Sequence, residues 1–361
     1  MGYSHRAELD HITAYVPGKS VAEVRQALGL SDVIKMASNE NPLGCPVPFE
    51  ALRDAYSTIH HYPHQLSTGL IQAIAQKHRL PLQSVLLGNG SDELLQFLGL
   101  TFLTHSDEVI FSQCTFSEYR FVGTVMGARI KAIPLDETYR LDLPAYLAAI
   151  TSRTKLMFIC NPNNPTGTYV THDELNAFLA QVPAHVVVCL DEAYADFSDA
   201  QDFPRSVELM HLFSNVVVLR TFSKLYGLAG FRIGYALAQP RLIEVMGKVR
   251  MPFHVNTLAL VVATQALQAD DFVLKSLHVN AEGKKFLTKS LQKKGLFVLP
   301  SQANFVTFFL KENATSVVAD LLKQGVIVRH LDSFGLPNAI RVTVGLPEHN
   351  QIFLQRLETL L

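Results

Sequence analysis

Between residues 85 and 237, short apolar runs alternate with longer stretches in which apolar positions recur at helical spacing. The runs at 85–87, 108–111, 129–133, 156–160, 186–190, 216–219 and 233–237 read as buried strands. Helices are predicted between them at 93–103, 117–126, 143–150 and 171–181. Strands that alternate with helices indicate an α/β fold, a largely parallel sheet covered on both faces and joined by right-handed crossovers. Upstream, Ser20 is a plausible cap and Gly29 a stop for a helix over 21–28, and further helices are predicted over 49–59 and 70–78.

After Pro240 the pattern changes. Residues 256–294 read as one long helical region, followed by strands at 304–309 and 339–344 with a helix between them and another at the C-terminus. These features predict a second, smaller α+β domain. The division expected is an N-terminal arm with part of the small domain over 1–45, a large domain over 46–245, and a linking helix with the C-terminal small domain over 246–361.

Composition narrows the partners. Hydrophobic residues make up 48% of the chain and charged residues 17%, which predicts a packed core and argues against disorder. With 31 basic against 32 acidic side chains, the net charge of −1 offers no field for nucleic acid or an anionic membrane. Basic groups that matter must act locally, in a pocket. Cys45, Cys114, Cys160 and Cys189 form no C-x-x-C pair, and His60, His61 and His64 lack a nearby carboxylate or cysteine, so no metal is expected. Met1-Gly-Tyr-Ser-His-Arg-Ala-Glu has no hydrophobic signal region and no apolar run reaches membrane-spanning length, so a cytoplasmic protein is expected.

Polar loops follow the predicted strands, and in such sheets ligands bind at the carboxyl ends of the strands. Thr221, Ser223, Lys224 and Arg232 follow the run at 216–219. A lysine leaving a buried strand loses basicity and can form a Schiff base, while the hydroxyls and the guanidinium suit a phosphate. An amine for an aldehyde, with donors for a phosphate, matches pyridoxal 5′-phosphate (PLP). Gly88-Asn-Gly-Ser-Asp92 opens a helix and is either an anion cup or a simple cap at Ser91 or Asp92. Asn161-Pro-Asn-Asn-Pro-Thr-Gly167 is a stiff turn whose asparagines offer amides to a ring oxygen. Asp191, at the end of an apolar strand, needs a partner: a protonated heterocycle, a helix N-terminus or an internal cation. Phe116 is either core or a wall for an aromatic ring. Arg341, inside an apolar strand, needs an anion or carboxylate.

In this order, Asn164-Pro-Thr-Gly167, Asp191-x-x-Tyr194, Ser223-Lys224 and Arg232 resemble the motifs of the fold-type I PLP-dependent aminotransferases of class I/II. The likeness runs over essentially the whole chain. It implies an aspartate-aminotransferase-like architecture with a mostly parallel sheet of the seven-stranded type. It also implies Lys224 as the Schiff-base lysine, Asp191 on the pyridine nitrogen, and Asn164 and Tyr194 on the phenolic oxygen. Ser91, Asp92, Thr221, Ser223 and Arg232 match the phosphate cup. Phe116 matches the ring-stacking position, where relatives often have tyrosine.

Tyr15-Val-Pro-Gly-Lys19, Ser38-Asn-Glu-Asn-Pro-Leu-Gly44, Tyr62-Pro63 and Arg341-Val-Thr-Val-Gly345 are similar, within that class, to the histidinol-phosphate aminotransferases. That likeness implies a homodimer with active sites at the interface, in which Tyr62 reaches the neighbour's cofactor phosphate. It implies Tyr15, Asn39, Asn304, Arg329 and Arg341 around small-molecule substrates, a phosphorylated amino alcohol and 2-oxoglutarate. His64 stands where relatives commonly have aspartate. Aromatic aminotransferases and threonine-phosphate decarboxylase share the scaffold and remain alternative readings.

Overall fold

The structure, a computed structural model, describes residues 4–12 and 18–361. Its strands are β1 (Ile34–Lys35), β2 (Val85–Gly88), β3 (Glu108–Ser112), β4 (Arg129–Ile133), β5 (Thr154–Cys160), β6 (Val187–Asp191) and β7 (Val216–Thr221). They continue with β8 (Gly234–Ala238), β9 (Phe297–Val298), β10 (Phe305–Phe309), β11 (Val326–Ile327), β12 (Arg329–His330) and β13 (Ala339–Thr343). Among the described residues, one seven-stranded sheet has the order β2-β8-β7-β6-β5-β3-β4, and only β8 runs against its neighbours.

The alternation along these strands explains why both faces are covered. Leu156, Phe158, Cys189, Val217 and Leu219 enter one apolar cluster, whereas Met157, Ile159, Val188, Leu190 and Val218 enter the other. Side chains of period two that are apolar at every position need helices on both sides. The register then aligns the strand ends that matter. Cys160 pairs with Asp191, Thr221 with Gly234, and Gly234 with Gly88, so four polar loops meet at one edge of the sheet.

Most predicted elements are present, with ends shifted by a few residues. Ser20 and Glu23 form a reciprocal capping box on the helix Val21–Leu28, and Gly29 ends it in the left-handed conformation. The 256–294 region is not one helix. It divides into Thr257–Ala266 and Asp270–Lys293, bent by 78°. The first is apolar around most of its circumference and joins the core of the large sheet through Ala259, Leu260, Val262, Ala263 and Ala266. The second is amphipathic and starts afresh on Asp270 and Asp271, carboxylates suited to a helix N-terminus. Pro240 opens a helix, Pro240–Met246, as proline does at a first helical position, and Ser206–Leu212 is a further helix that the pattern did not predict. No single helix among the described residues is long and apolar enough to cross a membrane.

A four-stranded antiparallel sheet, β12-β13-β10-β9, forms the second layer system, with β1 and β11 paired beside it. Met36 enters its core and accepts a backbone hydrogen bond from Thr343 at 2.8 Å, so the segment after β1 is stitched into this sheet. Thr307 of β10 donates to the Pro165 carbonyl at 2.5 Å, which seats the small sheet against a strand-end loop of the large one.

Candidate active site

The loops at the strand ends surround a cavity of about 250 Å3 lined by Ser91, Asp92, Phe116, Asn164, Asp191, Tyr194, Thr221, Ser223, Lys224 and Arg232. All the residues expected around the cofactor except Tyr62 therefore meet here.

Lys224 follows β7, whose residues from Val216 to Leu219 are fully buried. Its Nζ donates to the Ser38 carbonyl at 3.2 Å and lies 5.6 Å from the centre of the Tyr194 ring. Burial first, and the Arg341 guanidinium second, lower the amine from 10.5 to about 8. About a tenth of it is then neutral at pH 7, against roughly three in ten thousand for an ordinary lysine.

Asp191 is 3% exposed. Its Oδ2 accepts from the Tyr119 hydroxyl at 2.7 Å and its Oδ1 from the Ala193 N–H at 3.2 Å. Burial pushes its carboxyl up from 3.8 to about 6 despite these donors. A cation placed against it inside the cavity would offset that desolvation.

Ser91 is the first residue of the helix Ser91–Phe102, whose N-terminus presents free N–H groups and a positive dipole end. Arg232 contacts Ser223 Oγ at 3.4 Å and Asp92 Oδ2 at 3.1 Å. Asp92 thus engages the guanidinium. Gly90 has φ +82°, and a Cβ there would lie 2.5 Å from Arg232 Nη2. Such a cradle of hydroxyls, guanidinium and helix N-terminus fits a phosphate, and the amine opposite a buried carboxylate fits the aldehyde and ring nitrogen of PLP. Gly90→Ala is accordingly expected to lower stability by about 1–3 kcal/mol, because its positive φ with an extended ψ is open almost only to glycine, and to weaken PLP retention by displacing Arg232. Thermal melting and PLP titration would check both.

Of the three loop asparagines, only Asn164 lines the cavity. Asn161 bonds both backbone groups of Val170, at 2.9 and 3.1 Å. Asn163 accepts from Thr115 at 2.7 Å and donates to the Cys114 carbonyl at 3.0 Å. These two hold the turn so that the third can face inward.

A second cavity, about 400 Å3, shares Ser38, Phe116, Asn164, Tyr194 and Lys224 with the first, so the two form one cleft. It adds Asn39, Arg329 and Arg341. Arg341 is buried, and donates to Asn164 Oδ1 and, at 2.7 Å, to the Ala37 carbonyl. Arg329 lies directly opposite Arg341 across β12 and β13, and its guanidinium sits 5.7 Å from the Phe334 ring. Asn39 donates to the Tyr194 hydroxyl at 3.0 Å. Asn304 lines neither cavity; it stands behind Asn39, donating to its carbonyl at 3.0 Å. Tyr62 is 78% exposed, stacks on Phe253 at 4.5 Å and also lines neither cavity. Tyr15 lies outside the described residues. Among the described residues no group of three or more His, Cys, Asp or Glu is arranged to hold a metal ion.

Tyr119, the partner of Asp191, was not anticipated. A tyrosine within an apolar helix face reads as core, and nothing in its spacing points to a strand end 72 residues away.

A family model for aminotransferase class I and II matches residues 31–357. The histidinol-phosphate aminotransferase of Moorella thermoacetica is 45% identical over 352 residues, 97% of this chain and 91% of that protein. Histidinol-phosphate aminotransferase 1 of Nitrosococcus oceani is 43% identical over 356 residues, 98% and 96% of the two chains. The crystal structure of histidinol-phosphate aminotransferase from Sinorhizobium meliloti in complex with pyridoxal-5′-phosphate shares the fold, with a TM-score of 0.89 at 24% identity over 100% of this chain and 99% of that one. With its mostly parallel sheet, its strand-end cleft and this match over nearly its whole length, the chain belongs to the PLP-dependent class I and II aminotransferases, fold type I.

Proposed function

We propose that this protein is a histidinol-phosphate aminotransferase. It would move the amino group of L-histidinol phosphate to 2-oxoglutarate, giving imidazole acetol phosphate and L-glutamate, in the cytoplasm and within histidine biosynthesis. The relatives at 45% and 43% identity that carry this name support the reading. The observation that carries it is the facing of Arg329 and Arg341 on a cleft that opens onto Lys224. Like charges directly opposite on neighbouring strands destabilise a sheet unless an anion sits between them. Histidinol phosphate supplies a phosphate and 2-oxoglutarate supplies carboxylates, so one cationic cleft serves both.

Ser91, Thr221, Ser223 and Arg232 would hold the cofactor phosphate. Asp191 would hold the ring nitrogen, Asn164 and Tyr194 the phenolic oxygen, and Phe116 one face of the ring. When bound, PLP supplies an electron-poor ring that takes up the electron pair left at the substrate's α-carbon. Lys224 Nζ acts as the general base that accepts the α-carbon proton, a role for which a neutral amine is required. Arg341 anchors the substrate anion and, as a cation beside Lys224, also favours the neutral amine. Asn39 and Tyr194 join the loop over the cleft to the large sheet, and Asn304 braces Asn39 from behind. The exposed Tyr62 suits a homodimer in which it reaches the neighbour's cofactor phosphate. Tyr15 belongs to the same proposal as a residue of the substrate pocket.

Arg329→Met is expected to raise KM for histidinol phosphate roughly ten- to hundredfold, the loss of one charge-assisted hydrogen bond, with little change in kcat. Steady-state kinetics with each substrate varied in turn would measure it. The function itself is tested by incubating the holoenzyme with histidinol phosphate and 2-oxoglutarate and following glutamate. Faster turnover of tyrosine or phenylalanine, or release of carbon dioxide from threonine phosphate, would overturn the assignment.

A further inference from the structure

Tyr119 is fully buried on the helix Glu118–Val125, and its hydroxyl donates to Asp191 Oδ2 at 2.7 Å. With the Ala193 N–H on Oδ1, two donors fix the plane of the carboxylate. The phenol ring is itself clamped. It stacks on Phe158 with centroids 4.6 Å apart and 9° between planes, and meets Phe116 edge-on at 5.8 Å and 86°. Phe116 lines both halves of the cleft. One side chain therefore braces the aromatic wall of the site and its buried carboxylate together.

We propose that Tyr119 is a positioning residue for Asp191: its hydroxyl aims the carboxylate into the cleft and favours the charged form, and so governs how tightly the cofactor is held. This rests on the role given to Asp191 above, and on neither substrate.

The surroundings make the hydroxyl's contribution separable. Burial holds the Tyr119 hydroxyl well above its ordinary range, so it remains a donor. The other titratable groups around Asp191 are Asp92, Cys160, Cys189, Glu192 and Tyr194, with Lys224 across the same cavity. Burial first, then Asp92 and Glu192, push the carboxyl upward, while the Tyr119 hydroxyl and the Ala193 N–H pull it down. Removing only the hydroxyl leaves the upward influences in place and one of the two opposing donors. The carboxyl then rises further above about 6, and the acid limb of PLP affinity moves to higher pH.

The test is Tyr119→Phe, which keeps the ring stacked on Phe158. PLP titration of the apoenzyme should give a dissociation constant about tenfold higher, equivalent to about 1.4 kcal/mol. The acid limb of PLP affinity, read on the apoenzyme, should move up by about one pH unit, with the melting temperature little changed near pH 4, where the Asp191 carboxyl is neutral in both proteins. In an Asp191→Asn background the same substitution should change PLP affinity less than twofold, because no charge remains to be favoured. An unchanged dissociation constant and acid limb, or an equal tenfold loss in both backgrounds, would overturn the proposal; the second result would make Tyr119 a packing residue only. If the phenylalanine variant does not fold, 3,5-difluorotyrosine at 119 gives a stronger donor of nearly the same shape. The acid limb should then move down, and a stationary limb counts against the idea. PLP affinity is read without substrate, so a wild-type enzyme that makes no glutamate would remove the substrate assignment and leave this one decidable.

Discussion

Lys224→Ala is expected to lower transamination by roughly four orders of magnitude, the upper end of what a placed proton-transfer group contributes. The absorbance of the purified holoenzyme near the visible edge should disappear with it. Lys224 is the one lysine on the wall of the inner cavity among the described residues, and Lys19 lines only the outer half of the cleft. The substitution should leave the fold intact. The side chain makes one hydrogen bond, to the Ser38 carbonyl, and its charge is disfavoured by burial and by Arg341, which outweigh the favourable Glu40 and Asp92. The sign of the pH dependence follows from the same surroundings. A base must be neutral to accept a proton, and the amine is lowered to about 8, so activity should rise with pH through that region rather than near 10.5. Spectra of wild type and variant, with single-turnover rates from pH 6 to 10, would measure both effects. A variant that kept its colour and its turnover would end the proposal for Lys224.

Asp191→Asn is expected to lower kcat by roughly 10²–10³-fold, the range seen when one fixed electrostatic contact to a reacting group is removed. Asparagine can still accept the Tyr119 hydrogen bond, so charge is lost with little change in shape. The cofactor-free protein should respond in the opposite direction. Asp191 is raised from 3.8 to about 6, so between those values the folded state holds a proton that the unfolded state has released. Stability therefore falls as pH rises through this window. Above about pH 6 the buried charge costs roughly 3 kcal/mol. The neutral variant should melt higher than the wild-type apoenzyme at pH 7 and the same near pH 3. A carboxylate that weakens the empty fold and speeds the reaction is retained for function, as expected at a strained site. Equal melting temperatures at pH 7 together with undiminished kcat would refute this reading.

The cofactor half of the site was accessible from the chain because its residues follow buried strands one by one. Thr221 ends β7 and Ser223 and Lys224 follow it, Asp191 ends β6, and Asn164 sits four residues beyond the end of β5. In a largely parallel sheet those positions share an edge, so a one-dimensional list becomes a pocket. The substrate half was not accessible in this way. Nothing local places Arg329 opposite Arg341, or Asn304 behind Asn39 rather than on the cavity wall. The 256–294 stretch shows the same limit within secondary structure. Its composition reads as helix, and the bend comes where the apolar first half is buried in the large core and the amphipathic second half starts afresh on Asp270 and Asp271.

By itself the chain determined the alternation of strand and helix, the caps and turns, and the polar residues that emerge where strands stop. These depend on side-chain period and on the backbone preferences of a few neighbouring residues. Only the tertiary structure decided which distant groups touch: Tyr119 with Asp191, 72 positions apart, and Asn39 with Thr343, 304 apart. It also decided that Asp191 is held near 6 and Lys224 near 8. Both shifts arise from desolvation and from charges brought close by packing, and neither exists until elements far apart in sequence enclose one cleft.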